Sequence, residues 1–324
     1  MVQPKLKVLS QEEVIENLKR HAFPARKYAA MYSSWFGGIT TDPNLMVIPI
    51  DDHGFHRGDA VFEAMKCTGG QIYTLDRHLD RMKISASKIG LEFPANMREI
   101  AIETTRASGL SDCLLRCYVS RGPGSFTPNP YESVGVQTYV VITPFAPPSA
   151  AKYEAGATAV SSKIGVKEGI FSTVKSCNYL PNVMMKKEAV DQGVDFTVSF
   201  DSSGFIAEGP TENFAILTRE GVFKAPLYDR ILKGITLVRA MELAVELPNL
   251  KSLIKEIRNE SFTRDEVLQA QEVFFLGTTL GCMGVSSFDG IKIGSGKSGP
   301  VARALNEAIE KDILSGALSV HVAR

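Results

Sequence analysis

The sequence predicts an α+β protein of two domains, from three observations. The chain has 324 residues, and at roughly 100–200 residues per domain that allows two, each with its own core. Strand-like runs and helical periodicities are mixed on both sides of residue 150. Between them, residues 143–152 (TPFAPPSAAK) hold three prolines and read as a linker. The boundaries expected are an N-terminal extension over 1–40, a small domain over 41–145, a linker over 146–156 and a larger domain over 157–324.

Taken in order, Ser10 followed by Glu13 forms a capping box that opens a short helix through Leu18 and Arg20. Strands are expected at NLMVIPI (44–50), AVFEAMKC (60–67) and QIYTL (71–75), with Gly69 and Gly70 turning between the last two. In DRHLDRMKISASKIGL, Leu79, Met82, Ile84, Ile89 and Leu91 recur at mostly helical spacing. A second helix is expected over 97–108, then strands at LLRCYVSRG (114–122) and VQTYVVITPF (136–145). Beyond the linker come a strand (ATAVSSKIG), a helix (LPNVMMKKEAVDQG), a strand (DFTVSFD) and a paired strand in FIAEGPTENFAILT. GITLVRAMELAVEL is a helix, EVFFLGTT a late strand and GPVARALNEAIEKDILSG the closing helix.

The charges balance at 36 basic and 36 acidic side chains, so no global field draws in nucleic acid or an anionic membrane. Any anion must be held by a local site. The five cysteines form no disulfide framework; Cys113 and Cys117 lie four apart without further ligands nearby, so no metal is expected and reduced core thiols in a cytoplasmic protein are. The first 20 residues lack the apolar stretch of a signal peptide and no run of 18 apolar residues occurs, so neither export by that route nor membrane spanning is expected.

Lys175, in FSTVKSCNYLPNVMM, falls at a strand-to-helix junction among apolar and small neighbours. Desolvation there would disfavour the ammonium form, and a neutral amine is the nucleophile that Schiff-base chemistry requires. Most lysines are simply solvated. Glu208, in FIAEGPTENF, is a candidate anionic partner for a cofactor's ring nitrogen, or an ordinary turn carboxylate. LKGIT (232–236) runs into a helix, where the Ile235 and Thr236 N–H groups would make an anion site, unless Thr236 is merely a cap. LGTTLG (276–281) offers a second loop of small residues and hydroxyls, and Arg81, one helical turn after Arg77, a bidentate guanidinium.

In this order the segments HRGDAVFEAMK, LDRHLDRMKISASKIG, VKSCNYLPNVMMKKEA, IAEGPTENFAI and ILKGIT with LGTT resemble the class IV aminotransferases, the fold-type IV pyridoxal phosphate family, from about Met46 to Gly316. The resemblance is strongest to D-amino acid aminotransferase-like enzymes. It implies a small N-terminal α/β domain, a larger mixed β-barrel-like cofactor-binding domain, and a homodimer with active sites at the domain interface. It also implies pyridoxal 5'-phosphate carried on Lys175, which doubles as the proton shuttle, with Glu208 on the pyridine nitrogen and Leu232 against the ring. Arg81, Ile235, Thr236 and Thr278 would hold the phosphate. Tyr179 falls near a tyrosine that branched-chain enzymes place on the cofactor's phenolic oxygen, but four residues after the lysine instead of five.

VKSCN, ILKGIT and FEAMK resemble D-amino acid aminotransferases, whereas EGPTEN and FTPNP lean toward branched-chain enzymes. The resemblance implies a D-amino acid transaminase, with branched-chain L-amino acid transamination and aminodeoxychorismate lyase as alternatives. The arginine and histidine that bacillary D-amino acid enzymes carry after an RG turn are missing from RGPGSFTPNPYES. Arg57 and Arg116 are therefore the expected substrate-carboxylate clamp, with Thr279 as a third candidate. His53 and His56 read as structural hydrogen-bonders. Tyr131 either reaches a neighbouring active site or packs on its loop.

Overall fold

The structure, a computed structural model, describes residues 6–20 and 27–322. Residues 1–5 and 21–26 of the expected extension, with 323–324 of the larger domain, lie outside the described residues. Two sheets organise the chain. The first has seven antiparallel strands in the order Ser319–His321, Gln71–Tyr73, Ala60–Thr68, Cys113–Ser120, Gln137–Pro144, Ala30–Ser33, Gly38–Thr40. The second has eight and is mixed: Glu256–Asn259, Val222–Ala225, Asn213–Leu217, Glu272–Gly277, Gly281–Phe288, Ala157–Ser161 and Phe196–Val198, with Ile291–Lys292 paired off this path. Its parallel pairs are the two outermost ones and Gly281–Phe288 with Ala157–Ser161.

Strand Ala60–Thr68 shows how alternation sets the layers. Val61, Glu63, Met65 and Cys67 point one way and are buried, while Phe62, Ala64 and Lys66 point the other. The buried face is covered by helices Leu75–Lys88 and Met97–Ser108, whose Leu79, Met82, Met97 and Ala101 complete the first core. Helices Ile235–Glu246 and Pro300–Ser315 cover one side of the second sheet through Leu237, Leu243, Leu305 and Ile309. Phe214, Phe262, Phe275 and Phe288 fill the other side.

Most expected elements form within a residue or two of their predicted ends, including Met97–Ser108, Leu180–Asp191 and Glu272–Gly277. The Ser10–Glu13 capping box forms, each partner bonding the other's backbone N–H. Residues 44–50 are not a strand. Asp42 accepts from the Asn44 N–H at 2.9 Å and starts a 3-10 turn over Pro43–Leu45, and Pro49 denies the segment a ladder donor. Sheet membership also departs from chain order. Strands Ala30–Ser33 and Gly38–Thr40, placed by the sequence in an extension, pair into the first sheet, and so does Ser319–His321 from the far end of the chain. Within the expected linker, Ser149 caps a helix over Ala150–Ala155.

Candidate active site

A cavity of about 480 Å³ lies between the sheets, walled by residues from both. From the first come Phe62, Ala64, Leu114, Arg116 and Tyr118, the outward-facing positions of two adjacent strands, with Phe62 opposite Tyr118 and Ala64 opposite Arg116.

Lys175 is held by the first sheet. On strand Ala60–Thr68, the neighbour Gln71–Tyr73 pairs with Cys67 and Thr68, leaving the early half of that edge open. The lysine segment occupies it: the Phe62 N–H donates to Lys175 O at 2.9 Å and the Cys177 N–H to Ala60 O at 2.8 Å. The Lys175 N–H donates to Ser85 Oγ at 3.2 Å, and Nζ stands 4.7 Å from the Phe62 ring centre. Burial first, then the Arg81 charge, push the amine down from the ordinary 10.5 to about 8.

Glu208 comes from the second sheet. It opens a tight loop in which the Gly209 N–H donates to Glu212 O at 2.9 Å, and it bridges to Asn213 at the start of the next strand. Its carboxylate accepts from the Leu232 N–H at 3.3 Å and from Asn213 Nδ2 at 3.4 Å. Burial pushes it up to about 7, against the nearby charges of Lys175 and Lys167.

Arg81 points into the cavity from helix Leu75–Lys88, anchored from behind. Its Nε and Nη2 grip Glu63 at 2.6 and 2.7 Å, and Nη1 donates to Lys233 O at 3.0 Å. Of five guanidinium N–H groups, two are left over. Glu63 is fully buried and also bonds His78 Nδ1 at 2.7 Å; burial opposes its charge, but Arg81 and His78 hold its carboxyl well below the usual range. Beside Arg81, helix Ile235–Glu246 begins at Gly234 without a side-chain cap, so the first-turn N–H groups of Ile235 and Thr236 remain available at the wall. Gly234 is needed there: a Cβ would come within 1.7 Å of Asn213 Oδ1. Leu232, Tyr179, Thr278, Thr279 and Lys167 also line the cavity.

Of the residues singled out from sequence, the cavity brings together Lys175, Glu208, Arg81, Leu232, Ile235, Thr236, Tyr179, Thr278, Arg116 and Thr279. Arg57 is not among them. Its exposed guanidinium donates to the carbonyls of His56, at 2.9 Å, and Phe126, bracing the 122–135 loop. His53 Nε2 bonds Ser125 O at 3.0 Å and His56 Nε2 bonds Asp51 O at 3.1 Å, both backbone contacts. Arg77 pairs with Glu242, and Tyr131 stands exposed instead of packing on its loop. The five cysteines are free thiols. Sequence reasoning missed Glu63, Asn213 and Lys167. Glu63 had a signal, since it shares strand parity with Val61, Met65 and Cys67 and so had to be buried; nothing local marks Lys167.

The donor set fits pyridoxal phosphate. Two spare Arg81 donors and an uncapped helix terminus suit a phosphate. Glu208, half-buried and without an ion-pair partner among the described residues, suits a protonated ring nitrogen, and a partly neutral lysine suits a carbonyl carbon.

Residues 60–288 match the family model for amino-transferase class IV. The chain is 39% identical over 321 residues to the D-amino-acid transaminase, chloroplastic, of Arabidopsis thaliana, covering 97% of this chain and 84% of that one. It is 28% identical over 283 residues to the D-alanine aminotransferase of Bacillus licheniformis, covering 86% and 96%. A branched-chain amino acid aminotransferase from T.th., solved with pyridoxamine 5'-phosphate, superimposes at a TM-score of 0.84 and 25% identity, over 92% of this chain and 99% of that one.

Proposed function

The chain belongs to the class IV aminotransferases, and on that premise we propose that it moves amino groups between a D-amino acid and a 2-oxo acid. The enzyme uses pyridoxal phosphate, whose carbonyl and electron-withdrawing ring make the substrate's α-proton acidic when it is bound. The observation that carries the reading is the pairing, in one cavity, of a lysine amine lowered to about 8 and a carboxyl raised to about 7.

In this reading Lys175 is the catalytic residue: it holds the cofactor through its amine and carries the proton to and from the substrate α-carbon. Its pKa near neutrality suits both directions of that transfer. Glu208 keeps a proton on the ring nitrogen. Arg81, Ile235, Thr236 and Thr278 hold the phosphate, Leu232 packs on the ring and Tyr179 borders its phenolic oxygen. Arg116 and Thr279 face the substrate carboxylate; among the described residues Arg116 Nη1 donates to Thr143 Oγ1, at 3.2 Å, and forms no ion pair.

Preference for D-amino acids is supported by the 39% identity to a D-amino-acid transaminase. Branched-chain L-amino acid transamination is the second reading, favoured by the likeness in fold to the branched-chain enzyme from T.th.. Parallel assays with D-alanine and L-leucine, with 2-oxoglutarate as acceptor, test the choice. A higher kcat/KM for D-alanine is expected, and the reverse order selects the second reading.

A homodimer is part of this proposal. Trp35, Phe36, Phe55, Phe126 and Tyr131, on turns and short helical segments between strands of the first sheet, are exposed, as a surface covered by a second copy would be. The free cysteines support a reducing compartment, the cytoplasm in our reading. No helix among the described residues is long and apolar enough to cross a membrane.

A further inference from the structure

An amino-acid substrate brings a carboxylate into a partly desolvated space, where it needs a cation or convergent N–H donors. Arg57 lies outside the cavity, and residues 122–135 contain no Lys, Arg or His. Four cationic side chains line the cavity: Arg81, Arg116, Lys167 and Lys175. Arg81 is committed to Glu63 and the anion cup, and Lys175 to the nucleophile. That leaves Arg116 and Lys167, neither of which forms an ion pair among the described residues.

Lys167 sits close to where chemistry must occur. Its Nζ is 5.4 Å from the centre of the Tyr179 ring, that ring packs edge-on against Phe62 at 5.1 Å, and Lys175 Nζ lies over Phe62. Its charge is felt at both Lys175 and Glu208. Burial lowers its own affinity for a proton, Glu208 and Cys177 offset that in part, and an arriving anion finds a half-buried cation that forms no ion pair among the described residues. The carboxylate is one bond from the α-carbon that Lys175 Nζ must reach, and a four-carbon lysine stem spans the width of one aromatic ring.

We propose that Lys167 is a specificity-determining residue, the cation that joins Arg116 in clamping the substrate's α-carboxylate, in the place expected of Arg57. The proposal rests on the transaminase reading but is tested apart from it. In holoenzyme, the KM for D-alanine is measured, and the Kd of propionate, a carboxylate without an amine, is titrated through the bound cofactor's visible band. Lys167→Met should weaken both about 10- to 100-fold, the scale of one charged hydrogen bond, with kcat changed less than about 3-fold. Lys167→Arg should recover most of the loss. Parental KM and Kd in Lys167→Met overturn the assignment. So does a fall in kcat with the propionate Kd unchanged, because the charge would then act on Glu208 and not on substrate. Should the parent transaminate no amino acid, the transaminase reading fails, and the propionate titration still decides the role of Lys167.

Discussion

Replacing Glu208 with glutamine keeps the shape of the side chain and removes its charge, and the two consequences have opposite signs. In the apoenzyme desolvation pushes the carboxyl up from 4.5 to about 7. At 1.36 kcal/mol for each factor of ten, ionising it costs the folded state about 3 kcal/mol relative to the unfolded chain. Because the folded value lies above the unfolded one, the stability is intact below pH 4.5 and is lost as pH rises through about 7. Glutamine never ionises, so apo Glu208→Gln should match the parent near pH 4.5 and exceed it at pH 8. With an unfolding entropy of roughly 2.1 cal/mol/K per residue, about 3 kcal/mol corresponds to a gain in Tm of roughly 4 °C.

The loaded enzyme should respond the other way. An amide cannot hold a proton on the ring nitrogen, so turnover should fall at least about 100-fold, the scale of losing roughly 3 kcal/mol of transition-state stabilisation, while the cofactor stays bound. Thermal denaturation of apoenzyme at both pH values, with turnover of fully loaded variant, completes the test. A variant that turns over near the parental rate with full cofactor refutes the pairing. A Tm difference that is the same at both pH values refutes the burial argument beneath it.

Lys175→Ala should leave a folded chain that binds pyridoxal phosphate poorly and loses turnover by several orders of magnitude; borohydride reduction and peptide mapping of the parent should find the modification on Lys175 and on no other lysine. Arg81→Ala should weaken pyridoxal phosphate binding about 10- to 150-fold and also destabilise the apoenzyme by about 3–5 kcal/mol, because it strands the buried Glu63. A cofactor titration and a urea midpoint measure the two effects separately. Uptake of pyridoxal phosphate by apoenzyme should speed up about tenfold per pH unit below about 8 and level off above it, as the Lys175 amine loses its proton. A flat stopped-flow profile from pH 6 to 9 would contradict the lowered amine.

Legibility in the sequence followed the range of the interactions. Helices such as Met97–Ser108 and the Ser10–Glu13 cap were readable because both signal and partner lie within a few residues. The strands 30–33 and 319–321 were not, because what makes them strands is pairing with residues about 100 to 250 positions away, and 38–40 joins the sheet by a hairpin onto 30–33. Residues 44–50 carried strand-like apolar residues, but the Asp42 cap and two prolines settled the backbone first. At the site, Lys175, Glu208 and the 232–236 turn stood out through local motifs. Arg57 and Lys167 show where that stops. HRGDAVF marked Arg57 strongly, yet its guanidinium turns to the loop carbonyls at 56 and 126, whereas Lys167, in an unremarked stretch, enters the cavity through tertiary packing alone.

The same cause moves Lys175 and Glu208 in opposite directions. Burial disfavours charge whatever its sign, so the amine falls from 10.5 to about 8 and the carboxyl rises from 4.5 to about 7. The lysine is anchored on the edge of strand Ala60–Thr68 in one sheet, and the carboxyl on the loop before Asn213–Leu217 in the other. Their approach is therefore set by how the sheets pack, not by any local motif. A ligand that consumes the amine as a covalent bond and offers Glu208 a ring cation relieves both penalties at once. Cofactor binding should accordingly stabilise the packing of the two sheets against each other. The gain in Tm on loading should shrink in Glu208→Gln, where only the lysine's share remains, and an undiminished gain would show that the two penalties are not linked through this cavity.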